Sequence, residues 1–279
     1  MINRYFCKSF MVSIIVLVNL VWGLAQAEGL ILTSPPREKK EVGEKLYGPL
    51  ANHLSQLLGV KVTYKSPGNW LTYQREMRND AYDIVFDGPH FIAWRQEHLK
   101  HEALVKIPGT LKFTLVSRAS DKSINTMDDL IGKPICGIPP PNLTTLTVLD
   151  KFRNPVRQPM IKGVKGAMKG VNKAFKSGKC VAAVFRSDFF YKGMPKEERA
   201  GLKVLFESKP IPNQAISVSR RLSPAAKAKI RESLTIGKGV QATAGIMKRF
   251  GGKAKSFVPT SKEEYEGYNN LLEGVIFGW

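Results

Sequence analysis

Hydrophobic and polar residues run along this chain in two rhythms. Gly29-Leu30-Ile31-Leu32-Thr33 is a short apolar run closed by Ser34-Pro35-Pro36, which reads as a buried strand. Val42, Leu46, Leu50, Leu54, Leu57 and Leu58 then share one face of a helix that Gly59 stops. Pro49 lies inside that pattern and predicts a kink or a start near Gly48. Val60-Lys61-Val62-Thr63-Tyr64 alternates with the period of a strand, 70–78 reads as helical, and Tyr82-Asp83-Ile84-Val85-Phe86 is a third strand ended by Asp87-Gly88-Pro89. Strand, helix, strand, helix, strand predicts an α/β lobe with a mainly parallel sheet.

Further on, 111–118 reads as a strand, and Asn125 or Thr126 caps a short segment at Met127-Asp128-Asp129-Leu130. A strand at 133–138 carries Cys136, Pro139-Pro140-Pro141 stiffens its exit, and a helix is expected from Asn142. From 163 to 177, Val164, Met168, Val171 and Phe175 share one side of a predicted helix. Lys162, Lys165, Lys169, Lys173 and Lys176 form a stripe on the other side. That stripe is either a solvated face or a docking face for an acidic partner. Strands are expected at 181–186, 203–206 and 215–219, with Pro210-Ile211-Pro212 as an extended connection. Ser223-Pro224 opens a helix containing Ala226, Ile230 and Leu234. Ser261-x-x-Glu264 is a capping box for a last helix through Tyr268, Leu271 and Leu272. A middle block entered and left by extended segments predicts two lobes on a two-strand hinge. Residues 28–116 with 208–279 would form the first, and 117–207 the second. A cleft between lobes is a common place for a small ligand.

The 279-residue chain opens with a segment outside this pattern. Arg4 and Lys8 precede an apolar run at 10–24, and Ala25-Gln26-Ala27 is a small-x-small cleavage site. These features predict a signal peptide, 1–27, removed so that the mature chain starts at Glu28. Cys7 lies before the apolar run rather than at the cleavage site, so no lipid anchor is expected. The mature chain would carry 41 Lys and Arg against 23 Asp and Glu, a net charge of +18. Such a charge suits an anionic partner or a generally basic surface. Export, and the absence of nucleic-acid-binding motifs, argue against DNA or RNA. Two cysteines remain, Cys136 and Cys180, and an oxidising compartment predicts one disulfide between them. It would close a loop of 45 residues, a constraint of about 4 kcal/mol on the unfolded chain. No cysteines or histidines stand at metal-ligand spacing, and no cofactor motif occurs.

At this point the sequence resembles the phosphate/phosphonate-type (PhnD-like) periplasmic binding proteins, which have the type 2 periplasmic-binding fold. The marks are Tyr47-Gly48-Pro49-Leu50-Ala51, Tyr82-Asp83-Ile84-Val85-Phe86-Asp87-Gly88-Pro89-His90, Asp129-Leu130-Ile131-Gly132-Lys133 and Ile211-Pro212-Asn213-Gln214-Ala215-Ile216. Their order and spacing carry the resemblance over nearly all of the mature chain. It implies a soluble monomer that closes around a small, anionic ligand and delivers it to an ABC permease at the inner membrane. Phosphonate-binding members carry a serine–threonine–serine run at a helix start. The matching place here reads Pro140-Pro141-Asn142-Leu143-Thr144-Thr145, with two hydroxyls.

Four groups of residues are candidates for ligand contact. Asn142, Thr144 and Thr145 begin a helix, where unpaired N–H groups and hydroxyls can hold an oxyanion; the alternative is an ordinary helix cap. Asp87, Gly88 and His90 lie at the C-terminal end of a strand, where open α/β sheets place ligands; the alternative is a plain turn. Tyr47, Trp70 and Tyr73 could form an aromatic wall or belong to the core. Arg186 and Asp188 follow a strand and could pair with a ligand or with each other. Arg37 and Arg95 are lesser candidates. Ligands from phosphonate and phosphate to sulfonate fit this set, and a cation held by Asp87 and Asp188 stays open. No nucleophile elbow, P-loop or metal-binding helix occurs, so no enzyme is expected. A ligand sensor for a membrane receptor, or a periplasmic enzyme, are the alternative functions.

Overall fold

The chain follows the expected alternation through its first three strands. The computed structural model describes residues 29–152 and 154–273; the expected signal peptide and its cleavage site lie outside them. β1 (Leu30–Thr33), α1 (Lys40–Leu58), β2 (Val62–Tyr64), α2 (Trp70–Arg78) and β3 (Ile84–Asp87) come in that order, and β1 pairs in parallel with both β2 and β3. α1 runs unbroken through Pro49. Tyr47, Leu50, Ala51 and Leu54 are buried on either side of the proline, and this packing holds the helix across the missing N–H donor. Val42, expected on the buried face, is half exposed near the start of the helix.

α3 (Pro89–Leu99) and β4 (Glu102–Lys106) follow, and then the chain leaves the first sheet. The predicted strand at 111–118 is two strands, β5 (Thr110–Leu111) and β6 (Phe113–Arg118). β6 lies wholly in a second sheet, which therefore begins at Phe113, four residues before the expected boundary. That sheet gathers β7 (Pro134–Gly137), α4 (Leu143–Leu149), β8 (Met160–Gly163), α5 (Ala167–Lys176), β9 (Ala182–Arg186), α6 (Lys196–Ala200) and β10 (Leu202–Glu207). Its strand order is β10-β6-β9-β7-β8. α5 is shorter than its lysine pattern suggested. Lys162 belongs to strand β8, and Gly166, at φ 90, turns the chain into the helix behind Lys165.

The chain returns through β11 (Ile211–Pro212), which pairs antiparallel with β5 as a separate two-stranded ribbon. β12 (Ala215–Val218) then inserts between β4 and β3. α7 (Pro224–Ser233), α8 (Lys238–Ala242), α9 (Ala244–Phe250), β13 (Val258–Pro259) and α10 (Asn270–Glu273) complete the first lobe, whose sheet order is β13-β4-β12-β3-β1-β2. The capping box at Ser261 yields only one turn of 3-10 helix, Glu263–Tyr265. Gly267, at φ 80, stops it from running on into α10 as expected.

Each lobe has its own core. Leu32, Leu54, Ile84, Phe86, Val105, Ile216, Val218 and Ile230 pack in the first. Val116, Met168, Val171, Phe175 and Phe185 pack in the second, around Cys136 and Cys180. These two cysteines form a disulfide with Cα atoms 5.6 Å apart, tying β7 to the entry of β9. A further apolar cluster crosses between the lobes: Tyr73, Val85 and Phe91 join Phe113, Leu115, Leu143 and Val184.

Candidate functional site

The register of the strands places four expected site segments at facing sheet edges. β1 and β3 run parallel with Thr33 opposite Val85, so Ser34-Pro35-Pro36-Arg37 and Asp87-Gly88-Pro89-His90 leave the first sheet side by side. β12 starts opposite Asp87 and brings Asn213 and Gln214 to the same edge. In the second sheet Cys136 is opposite Ala183, so Pro139 and Arg186 stand level at its edge. The β5–β11 ribbon joins the two edges.

Arg37 is held at this edge. Its Nη1 donates to Oε1 of Gln214, and its guanidinium carbon lies 5.2 Å from the Phe250 ring centre and 5.9 Å from that of Phe86. Its Nε and Nη2 are buried and have no hydrogen-bond partner among the described residues. Next to it, Glu38 accepts from Arg249 Nε at 2.7 Å through Oε1, while Oε2 is buried without a partner.

Asp87 is fully buried and heavily engaged. Oδ1 accepts from the Gly88 N–H at 2.8 Å, Oδ2 accepts from the Tyr73 hydroxyl, and Arg95 Nε stands 3.7 Å from Oδ2. Arg95 also donates to the Tyr73 hydroxyl at 3.0 Å. Burial raises the Asp87 carboxyl to a pKa of about 6, against the opposing pull of Arg95 and Arg37. Asp87, Tyr73 and Arg95 thus form an internal triad. Burial also drives the Tyr73 hydroxyl well above the usual phenol range.

His90 reaches across to the other lobe. Its Nε2 lies 2.9 Å from the backbone oxygen of Pro141, and Nδ1 is buried with no partner. Gly88 caps α3 and lets the ring pack closely against the backbone. A Cβ there would stand 3.0 Å from Cε1 and 3.2 Å from Nδ1. Burial lowers the pKa of the imidazole to about 3; the charge of Arg37 adds to this and the Pro141 bond opposes it.

Behind Pro141, Asn142 caps α4. Its Oδ1 accepts from the N–H of Thr144 at 3.1 Å and from the Thr144 hydroxyl at 2.6 Å. The Thr145 hydroxyl donates to the carbonyl of Ile138. Both threonine hydroxyls are therefore engaged inside the second lobe. Arg186 and Asp188 face each other at 4.0 Å, and Lys192 reaches Asp188 at 3.1 Å, in an exposed group. Tyr47 is buried and stacks on Tyr64 at 5.0 Å, with no hydrogen-bond partner for its hydroxyl. Trp70 stacks on Phe91 at 5.9 Å.

The structure thus brings Asp87, Gly88 and His90 next to Arg37 and against Pro141. It places Tyr73 in the core and leaves Arg186 and Asp188 with each other. Gln214, Glu38 and the Pro141 carbonyl were not among the sequence candidates. Gln214 lies in one of the motifs that carry the resemblance. Glu38 and the carbonyl give no sequence signal, because their roles exist only across the fold.

Residues 32–265 match the family described as "ABC transporter, phosphonate, periplasmic substrate-binding protein". The chain belongs to this family of periplasmic substrate-binding proteins: it is the binding component that serves a permease with a small-molecule ligand. No curated protein matches it in sequence. Solved structures match its fold. The binding component of an ABC phosphonate transporter from Pseudomonas aeruginosa is 15% identical, covering 87% of this chain and 85% of that one, with a TM-score of 0.56. XAC2383 from Xanthomonas citri, bound to ATP, is 14% identical over 89% and 97%, with a TM-score of 0.66. PhnD1 from Prochlorococcus marinus, in complex with methylphosphonate, is 13% identical over 88% and 98%, with a TM-score of 0.58.

Proposed function

We propose that this protein captures a small oxyanion of the phosphonate or phosphate type between its lobes. Arg37 and His90 make the contacts from the first lobe, and the loop 139–145 makes those from the second. One observation carries the reading: two buried guanidinium donors of Arg37 have no acceptor. Buried donors without acceptors cost free energy even with the Asp87 carboxylate nearby, and a ligand anion closing on them offsets that cost. A ligand that touches both lobes favours the closed state by its differential affinity. The methylphosphonate held by the Prochlorococcus marinus relative supports the same chemistry. In this reading Thr144 and Thr145 exchange their internal bonds for ligand oxygens, Asn142 orders them, and Arg186 swings from Asp188 toward the cleft. Asp87, Gly88 and Tyr73 hold the first-lobe edge in shape, while Tyr47 and Trp70 flank it. The protein acts by binding alone, as a periplasmic monomer without nucleic acid, after its leader is removed behind Ala27.

Calorimetric and thermal-shift titrations with methylphosphonate, phosphate, phosphite and methanesulfonate test this. A bound anion at a hundredfold excess over its Kd stabilises the fold by about 2.7 kcal/mol. Arg37→Gln is expected to weaken affinity by about 10- to 100-fold, the worth of a charged hydrogen bond. The unliganded variant should melt no earlier than the wild type. Unchanged affinity in Arg37→Gln would refute the assignment.

A further inference from the structure

His90 has a defined protonation pattern. A carbonyl oxygen accepts hydrogen bonds and cannot donate, so Nε2, 2.9 Å from the Pro141 oxygen, carries the proton. The ring is only 3% exposed and is held neutral. A neutral ring protonated at Nε2 presents a bare lone pair at Nδ1. That atom is buried and has no hydrogen-bond partner among the described residues. Its flank packs over Gly88, where any side chain would press on the ring. The neighbouring carboxylate, Asp87, already accepts from Tyr73 and from the Gly88 N–H. Arg37 offers only donors.

We propose that His90 Nδ1 is a selecting acceptor: it favours an oxyanion that carries its own hydrogen-bond donor, a monoprotonated P–OH group, over a sulfonate of the same shape. The inference rests on the reading of the cleft as an oxyanion site and adds a rule for which oxyanion fits. Arg37 binds unprotonated oxygens of the anion, and His90 receives the remaining P–OH. A sulfonate has no such proton and sets an oxygen lone pair against the lone pair of Nδ1. Glu38 Oε2, also buried without a partner among the described residues, is a competing place for the same proton.

Titration at about pH 5.5, where a phosphonate keeps one proton, compares methylphosphonate with methanesulfonate at equal charge. Wild-type protein is expected to bind methylphosphonate at least about fivefold more tightly, the effect of one unsatisfied buried polar atom. His90→Gln keeps an N–H for the Pro141 carbonyl and removes Nδ1, and should bring the two affinities within about twofold. Gly88→Ala is conformationally allowed at φ −78 and sets a Cβ 3.2 Å from Nδ1, crowding that atom, so it should give the same result if the glutamine variant does not fold. Equal affinities in the wild type overturn the inference while leaving the oxyanion site standing. A preference that survives His90→Gln also overturns it, and its collapse in Glu38→Gln would move the acceptor to Glu38. Binding of neither anion overturns both readings.

Discussion

Strand β3 has an aspartate at each end, and the fold treats the two oppositely. At the start, Asp83 Oδ2 accepts from the Ile31 N–H at 2.8 Å and Oδ1 accepts from Arg221 Nε at 2.9 Å. Arg221 also meets Asp80 Oδ2 at 3.1 Å, and His101 Nε2 faces Asp80 Oδ1 at 3.2 Å. All four carboxylate oxygens find partners within the first lobe. Burial works against the Asp80 charge, but the His101 bond and Arg221 outweigh it and hold this carboxyl below its usual range. At the other end, burial wins and lifts Asp87 to about 6. Two arginines surround that single carboxylate, and Arg37 keeps two buried donors uncommitted. His101 and His90 share one tautomer, each with a bare Nδ1. Yet His101 bonds within its lobe, whereas His90 bonds to the other lobe with its ring packed over Gly88. The Asp80 and Asp83 carboxylates are satisfied within their lobe. Buried polar atoms without a partner lower stability wherever they lie, on Arg37, Glu38 and His90 at this edge and on His101 and Ser217 away from it.

Acid should test both ends at once and give the largest change. The folded pKa values of His90 and His101 are depressed to about 3 and about 4, against 6.5 for the free side chain. The unfolded chain therefore binds more protons below pH 6.5, and stability falls as pH falls, down to about 4 for His101 and about 3 for His90. Each ring contributes roughly 1.4 kcal/mol per pH unit, read as urea midpoints between pH 6.5 and 4. His90→Gln and His101→Gln should each flatten this slope, but only the first should change the phosphonate-to-sulfonate ratio. A shift of that ratio in His101→Gln would erase the contrast between the two ends.

Next in size is Asp83→Ala. It strands the Ile31 N–H and part of Arg221, and because Arg221 is half exposed the loss is set at about 2 kcal/mol. Ligand affinity per folded molecule should not move. The remaining effects are two opposite slopes. Asp87 takes its proton on the folded side between about pH 6 and 3.8, so it adds stability as pH falls through that window; Asp87→Asn should steepen the acid loss there. Asp80 is depressed below 3.8, so its contribution is lost only under stronger acid, and Asp80→Asn should flatten the curve at that end. Parallel slopes in the two variants would contradict the assignment of the two ends.

Much of the frame was legible in the chain. The apolar run at Ile84-Val85-Phe86 is buried on both faces, and Leu30-Ile31-Leu32 partly so, as expected of strands paired in parallel inside a sheet covered by helices. The Asp-Gly-Pro after Phe86 marked a strand end beside a helix start. Other features left no local trace. β8 (Met-Ile-Lys-Gly) is mostly exposed, so it lacks the apolar signature of an inner strand. β13 is two residues long and exists only because β4 pairs with it. Tyr73 could not be told from a pocket wall because its burial depends on Asp87 and Arg95, fourteen and twenty-two residues away. The pairing of Arg37 with Gln214 spans 177 positions, and no spacing rule reaches that far.

The position of β12 in the first sheet has a further consequence, for the order in which the molecule can be assembled. β12 lies between β4 and β3, yet it is made of residues 215–218. A ribosome that has reached residue 207 has already supplied every strand of the second sheet, with both its cysteines. The first sheet still has a gap at its middle then, between β3 and β4, which β12 fills antiparallel to both. The half of the protein that begins first in the chain must therefore be finished last.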